Sequence, residues 1–209
     1  MVSPVRMPRS ERRAQLLLVA VACFTRDGYY RTSMEMVATA AGVTKPVLYQ
    51  HFSSKEELYL EVIRRVGSQM CDQIDQLLDM EGDTSVRVAF ALERISEIII
   101  ASAEPLRILD TSDAASPIIE SAVRDIYDHC ARGVGTVLMH SRELTEADAE
   151  LLGQGLTGMV RATAGRLAAA GTSGEQEHLV SLLGTFISSG LRAFPSIGVT
   201  NSAPATRLA

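Results

Sequence analysis

The sequence predicts an all-α chain, with an N-terminal three-helix helix-turn-helix unit ahead of a larger helical body. Three observations carry this. Apolar residues recur at i, i+3, i+4 spacing through most of the 209 residues. Ser or Thr stands three places before Glu, Asp or Gln at Thr32/Glu35, Ser54/Glu57, Thr145/Asp148 and Ser173/Gln176, the form of a capping box. No alternating strand pattern and no repeat interrupts them. With 46% hydrophobic residues the chain can bury a sizeable core, which excludes disorder.

Residues 1–10 mix Pro, Arg and Ser and read as a flexible arm. In the first helix Leu16, Leu17, Ala20, Cys23 and Phe24 form one inward stripe. Arg12 and Arg13 ahead of this apolar run mimic a secretory signal. The run is far short of the ~18 apolar residues a membrane span needs, so the helix reading is kept and the chain is expected to be cytoplasmic. Thr32 with Glu35 opens a second helix, and Gly42 closes it by taking the left-handed conformation. Thr44 offers a fresh N-cap, with Pro46 in the first turn where no N–H is needed. Leu48 and Phe52 then face inward, leaving Lys45, Tyr49, Gln50 and His51 as a donor-rich outer surface on a helix short enough for a major groove. Ser54 and Glu57 start a fourth helix, predicted to run to about Met80.

Beyond it, residues 84–103 read as a helix, 105–109 as a short helix or turn, and 111–115 as a loop. Ser116-Pro117 is an N-cap and N1 pair, opening a helix with Ile119, Ala122, Val123, Ile126, Cys130 and Val134 on one face. Thr145 caps the next helix, to about Ala170. The last carries Leu179, Leu182, Leu183, Phe186, Ile187, Gly190, Leu191 and Phe194, and a loose tail follows over 195–209. The expected domains are a helix-turn-helix over 11–55 and a helical body over 56–194.

Charge supports the division. Residues 1–55 hold eight basic and three acidic side chains; the rest hold twelve basic and twenty-two acidic, within a net charge of −5. Both lysines, Lys45 and Lys55, fall in the head. A basic head on an acidic body is the pattern of one unit that meets phosphates and one that does not.

Residues 11–62 resemble the N-terminal domain of TetR-family transcriptional regulators. The resemblance rests on Phe24, Gly28, Thr32-Ser33, Ala38, Ala41-Gly42-Val43-Thr44, Leu48-Tyr49-Gln50-His51-Phe52 and Ser54-Lys55-Glu56-Glu57-Leu58. It implies that Lys45 and Pro46 meet base edges and that Tyr49 lies at the DNA surface. Ser33, Thr44, His51 and Lys55 are then expected at phosphates. Thr32, Val47 and Gln50 complete the expected DNA-facing set. The family's last two helices pair with their copies, and glycines there (Gly153, Gly155, Gly158, Gly165, Gly184, Gly190) suit close approach. The expected homodimer surface is Leu152, Gly155, Leu156, Met159, Leu179, Leu183, Phe186, Ile187 and Gly190.

Three functions come into question. The favoured one is a ligand-responsive regulator, a repressor that binds a palindromic operator and is released by a small apolar or amphipathic effector. The alternative is a DNA-binding or architectural dimer with no small-molecule input. An enzyme is disfavoured: there is no paired nucleophile and base, no phosphate-cradling loop and no metal-ligand spacing. No cofactor is expected. Cys23, Cys71 and Cys130 are far apart in sequence and read as small buried hydrophobes, with a redox role for one of them the weaker reading. His129 and His140 lie about 16 Å apart along one helix, too far for one metal. Met70, Ile74, Ile95, Ile99, Leu106, Ile126, Tyr127 and Met139 are effector-lining candidates, with Arg107 and Arg161 able to orient a carboxylate.

Overall fold

The computed structural model describes residues 7–78, 108–109, 116–168 and 173–197, which form seven helices: α1 (Arg9–Arg31), α2 (Met34–Ala40), α3 (Lys45–Tyr49), α4 (Lys55–Leu78), α5 (Pro117–Ser141), α6 (Glu146–Ala168) and α7 (Ser173–Leu191). The helix expected over 84–103 and the loop over 111–115 lie outside the described residues. Among these residues no helix is long and apolar enough to cross a membrane, and no three His, Cys, Asp or Glu residues form a group fit for a metal.

α1 begins inside the stretch assigned to the arm and buries the five residues of the predicted stripe. It breaks at Gly28, whose φ of 75° belongs to the left-handed region. Thr32 fastens this break: its hydroxyl donates to the Gly28 carbonyl at 2.8 Å, and the side chain is buried. Ser33, not Thr32, is the N-cap of α2, accepting a hydrogen bond from the Met36 N–H at 3.1 Å. The two adjacent hydroxyl residues compete for that position, and the one turned inward goes to the kink. α2 ends as expected at Gly42 (φ 67°), with Val43 N–H on the Ala38 carbonyl and Gly42 N–H on the Thr39 carbonyl.

α4 joins head and body. Ser54 accepts the Glu57 N–H at 3.0 Å, while the Glu57 carboxylate accepts from the Ser53 N–H at 2.7 Å, one residue earlier than a standard box. Leu58, Tyr59, Val62, Ile63 and Val66 continue the head's core into the body, and Tyr59 donates to the Ile108 carbonyl at 2.8 Å. The assumed boundary at residue 55 therefore falls at the start of a helix that packs on both α1 and α5.

Glycine governs the body's packing. Ile126 of α5 lies on Gly67 of α4, and Ile74 of α4 on Gly133 of α5, so the two helices run the same way. His129 and Asp75 add a 3.0 Å contact. Between α5 and α6, Gly153 faces the Ala131 carbonyl and Gly135 the Ala149 carbonyl. Gly153, expected to serve close helix approach, does so within the chain. Thr145 and Asp148 cap α6 reciprocally, hydroxyl to carboxylate at 2.6 Å and N–H to hydroxyl at 3.2 Å. The tail expected to be loose from 195 is held at its start: Glu143 N–H bonds the Pro195 carbonyl and Ile197 N–H the Ser141 carbonyl.

Candidate functional site

α3 is a short helix seated on the head's core by Leu48, with Phe52 fully buried just beyond it. Thr44, Lys45, Pro46, Tyr49 and Gln50 are exposed on it, and Val47 is half-buried. These side chains form one ridge of hydroxyl, ammonium, phenol and amide groups with a single apolar ring. Thr44 occupies the N-cap position, is exposed and makes no side-chain cap bond. Ser33 spends a lone pair on the Met36 N–H and keeps its O–H to donate.

Thr32 and Lys55 are turned inward, and His51 is partly enclosed. Thr32 is buried with its hydroxyl committed to Gly28. Lys55 turns inward: its ammonium donates to the Tyr30 carbonyl at 3.3 Å and sits 4.3 Å from the centre of the Tyr29 ring. Burial lowers its pKa. His51 is half-buried, with Nδ1 enclosed and without a hydrogen-bond partner. Burial first, then the guanidinium groups of Arg9, Arg13 and Arg12, hold its pKa below the ordinary histidine value. At neutral pH this imidazole brings no positive charge to a phosphate but keeps one N–H to donate.

Lys55 should therefore act through stability. Lys55→Ala is expected to lower stability by about 1 kcal/mol, the scale of a half-exposed charged hydrogen bond with a ring contact. The salt dependence of DNA binding should stay unchanged. Melting temperature and a salt titration check both; a slope shallower by about one unit would return Lys55 to the phosphate backbone.

The arginines at the start of α1 are the residues that motif reasoning missed. Arg9 donates to the Gln50 carbonyl at 3.2 Å, and Arg13 lies 4.6 Å over the Phe52 ring while bonding Glu61 at 3.1 Å. With Arg12 they place three positive charges beside the end of α3. Their helical spacing (9, 12, 13) was the available signal.

In the body, an open groove of about 590 Å³ lies between α4 and α5. Leu60, Cys71, Ile118, Ala122 and Ile126 supply apolar surface, and Arg64, Ser68, Ser121 and Asp125 the polar atoms. Of the effector candidates among the described residues, only Ile126 lines it. Met70, Ile74 and Tyr127 are buried in the core, Met139 is half-buried, and Arg161 lies 4.9 Å over the Tyr127 ring. Ile95, Ile99, Leu106 and Arg107 fall outside the described residues.

The expected dimer residues divide. Ile187 is only 5% exposed and clusters with Leu138 and Leu191, against which Leu152, Leu156 and Met159 pack. Leu179 and Leu183 are half-buried. Phe186 is 70% exposed, and Gly155 and Gly190 have nothing within 4 Å of where a Cβ would stand. Leu151 (67% exposed) and Leu182 (59%) join Phe186 as large apolar side chains left in solvent on α6 and α7.

The family model for bacterial regulatory proteins of the TetR family matches residues 16–62, the segment that builds the head. The transcriptional activator FasR of Mycolicibacterium smegmatis is 34% identical over 152 residues, covering 72% of this chain and 69% of its own. This chain belongs to the TetR family. As a TetR-family regulator it binds DNA to control transcription and is not an enzyme. The transcriptional repressor KstR2 of Mycobacterium tuberculosis is 33% identical over 97 residues, 46% of this chain and 45% of its own. A TetR-like regulator from Rhodococcus sp. RHA1 superposes over 90% of this chain and 99% of its own, with a TM-score of 0.68 at 26% identity. A regulator from Saccharomonospora viridis, solved in complex with choline, shares the fold at 21% identity, with a TM-score of 0.70 over 86% of this chain and 97% of its own.

Proposed function

We propose that this TetR-family regulator is a repressor that occupies a palindromic operator as a homodimer and is released by a small apolar or amphipathic effector. The observation that carries the dimer is the pairing of exposed Leu151, Leu182 and Phe186 with uncovered Gly155 and Gly190 on neighbouring helices. Large apolar side chains beside bare backbone are what two helix pairs need to approach closely. Dimerisation places two copies of α3 on successive major-groove faces about 34 Å apart, the spacing a palindrome requires. Repression is the simpler mode for such a dimer, because covering the operator needs no further contact with the transcription machinery. Within each head, Lys45 and Pro46 meet base edges, and Ser33 and Thr44 hold phosphates. Tyr49, Gln50 and Val47 complete the DNA-facing ridge.

The α4–α5 groove supports the effector. Its volume is within the range of small-molecule sites, and its apolar wall with a few polar groups suits an amphipathic molecule. A ligand that wedges there acts on α4, the helix that carries the head. It weakens DNA binding only by favouring the arrangement in which the two copies of α3 no longer match the operator. A thermal-shift screen of amphipathic compounds tests this: a hit present at 100 times its Kd should stabilise the chain by about 2.7 kcal/mol. Ile118→Trp, which sets an indole into the groove from an exposed position, should abolish the shift. Hits unaffected by that variant would place the effector elsewhere.

A second reading, a DNA-binding dimer with no small-molecule input, draws on a different relative. The nucleoid occlusion factor SlmA of Actinobacillus pleuropneumoniae is 30% identical over 114 residues, covering 52% of this chain and 56% of its own. An exhaustive screen without any hit would favour it.

A further inference from the structure

The α4–α5 contact brings together two thiols that the sequence keeps far apart. The same separation along the chain divides Gly67 from Ile126, Cys71 from Cys130 and Ile74 from Gly133. The outer two pairs are in contact, each with a side chain set onto a glycine. That register puts Cys71 opposite Cys130, between two points where glycine lets the helix backbones close up. Each thiol is near enough to perturb the other's ionisation. They differ in access: Cys71 is half-buried and lines the groove, whereas Cys130 is buried.

We propose that Cys71 and Cys130 are a redox-active pair: a hydroperoxide entering the groove oxidises Cys71, and Cys130 closes an intrachain disulfide that pins α4 to α5. In the first step the Cys71 sulfur attacks the nearer peroxide oxygen. An S–O bond forms, the O–O bond breaks, and an alcohol or water leaves with the thiol proton. Cys71 is then a sulfenic acid. In the second step the Cys130 sulfur attacks Cys71; an S–S bond forms, the S–O bond breaks, and water leaves. The two sulfurs together lose two electrons and the peroxide gains them.

The order of the steps follows from the environments. Cys130 is pushed up to about 12 by burial and by Cys71, so it is the poorer first nucleophile. Burial also raises Cys71, but the neighbouring Cys130 thiol works against that rise. Both thiols are protonated at neutral pH, so the pair responds to sustained oxidant and not to a brief pulse. Cys23 is buried in the head's core and serves as an internal control.

The test uses the full chain, fully reduced, exposed to hydrogen peroxide, then denatured, alkylated and weighed. Of its three thiols two should become protected from alkylation, the intact mass should fall by two hydrogen atoms, and a peptide should join residue 71 to residue 130. A dithiol reductant should reverse all three changes. Cys130→Ser should stop at a Cys71 sulfenic acid that a cyclic dione captures, and Cys71→Ser should give no disulfide. Three thiols still open to alkylation under conditions that fully oxidise free cysteine would overturn the proposal. So would a crosslink through Cys23 or between chains. The readout is covalent, so it stands apart from whether the groove also takes an effector.

Discussion

Phe186→Asp is expected to yield folded monomers that hold the operator about 10²–10⁴-fold more weakly than the wild type. That factor is what linking two binding units contributes when both engage at once. The substitution is a clean probe because Phe186 is 70% exposed within one chain, so a charge there costs the fold little. Leu183→Asp and Ile187→Asp are poorer probes, since those side chains are partly or wholly committed to the chain's own packing. Light scattering gives the assembly state, circular dichroism the fold, and a binding titration the affinity. A wild-type chain that is monomeric at micromolar concentration would remove the dimer and the palindrome with it.

Gly153→Ala should be the most damaging single methyl in the described body. A Cβ there would land on the Ala131 carbonyl oxygen and within 2.9 Å of the Gly135 nitrogen. Both obstacles are backbone, so relief requires α5 and α6 to move apart. Overpacking of this kind costs about 3 kcal/mol. For a chain of this size that corresponds to a melting temperature lower by roughly 6–12 °C. Gly174→Ala, with nothing within 4 Å, is the control and should change stability by no more than about 1 kcal/mol. Equal melting temperatures for the two variants would contradict the close α5–α6 packing.

Features set by neighbours in sequence were legible without a structure. The α1 stripe, the inward Leu48 and Phe52, the left-handed Gly42 and the reciprocal Thr145–Asp148 cap all follow from helical spacing and local hydrogen bonding. Errors of one position arose where two residues could serve one role, as with Thr32 and Ser33 at the start of α2. Lys55 was misplaced for a different reason. Its ammonium turns to Tyr29 and Tyr30 across the kink at Gly28, and no spacing rule aims a flexible side chain. Apolar periodicity also could not separate core from groove: Met70 and Ile74 lie buried, whereas Ile118 and Ile126 line the opening. The last helix is apolar on two sides, so its stripe merged the inward Ile187 and Leu191 with the outward Leu182 and Phe186. The arginines of α1 and the Cys71–Cys130 pair depend on how helices cross, which is non-local.

The proposed regulation rests on base reading by α3. It is tested by titrating wild-type protein and Lys45→Ala against an operator selected from random-sequence DNA and against a scrambled duplex, at several salt concentrations. Lysine at the start of α3 can donate to guanine O6 or N7, so the variant should lose about 1–3 kcal/mol on the operator and relax preference at one base position. On the scrambled duplex it should lose little. Equal losses on both DNAs would move Lys45 to the phosphate backbone. A wild-type chain that binds operator and scrambled DNA alike would contradict sequence reading by α3 altogether.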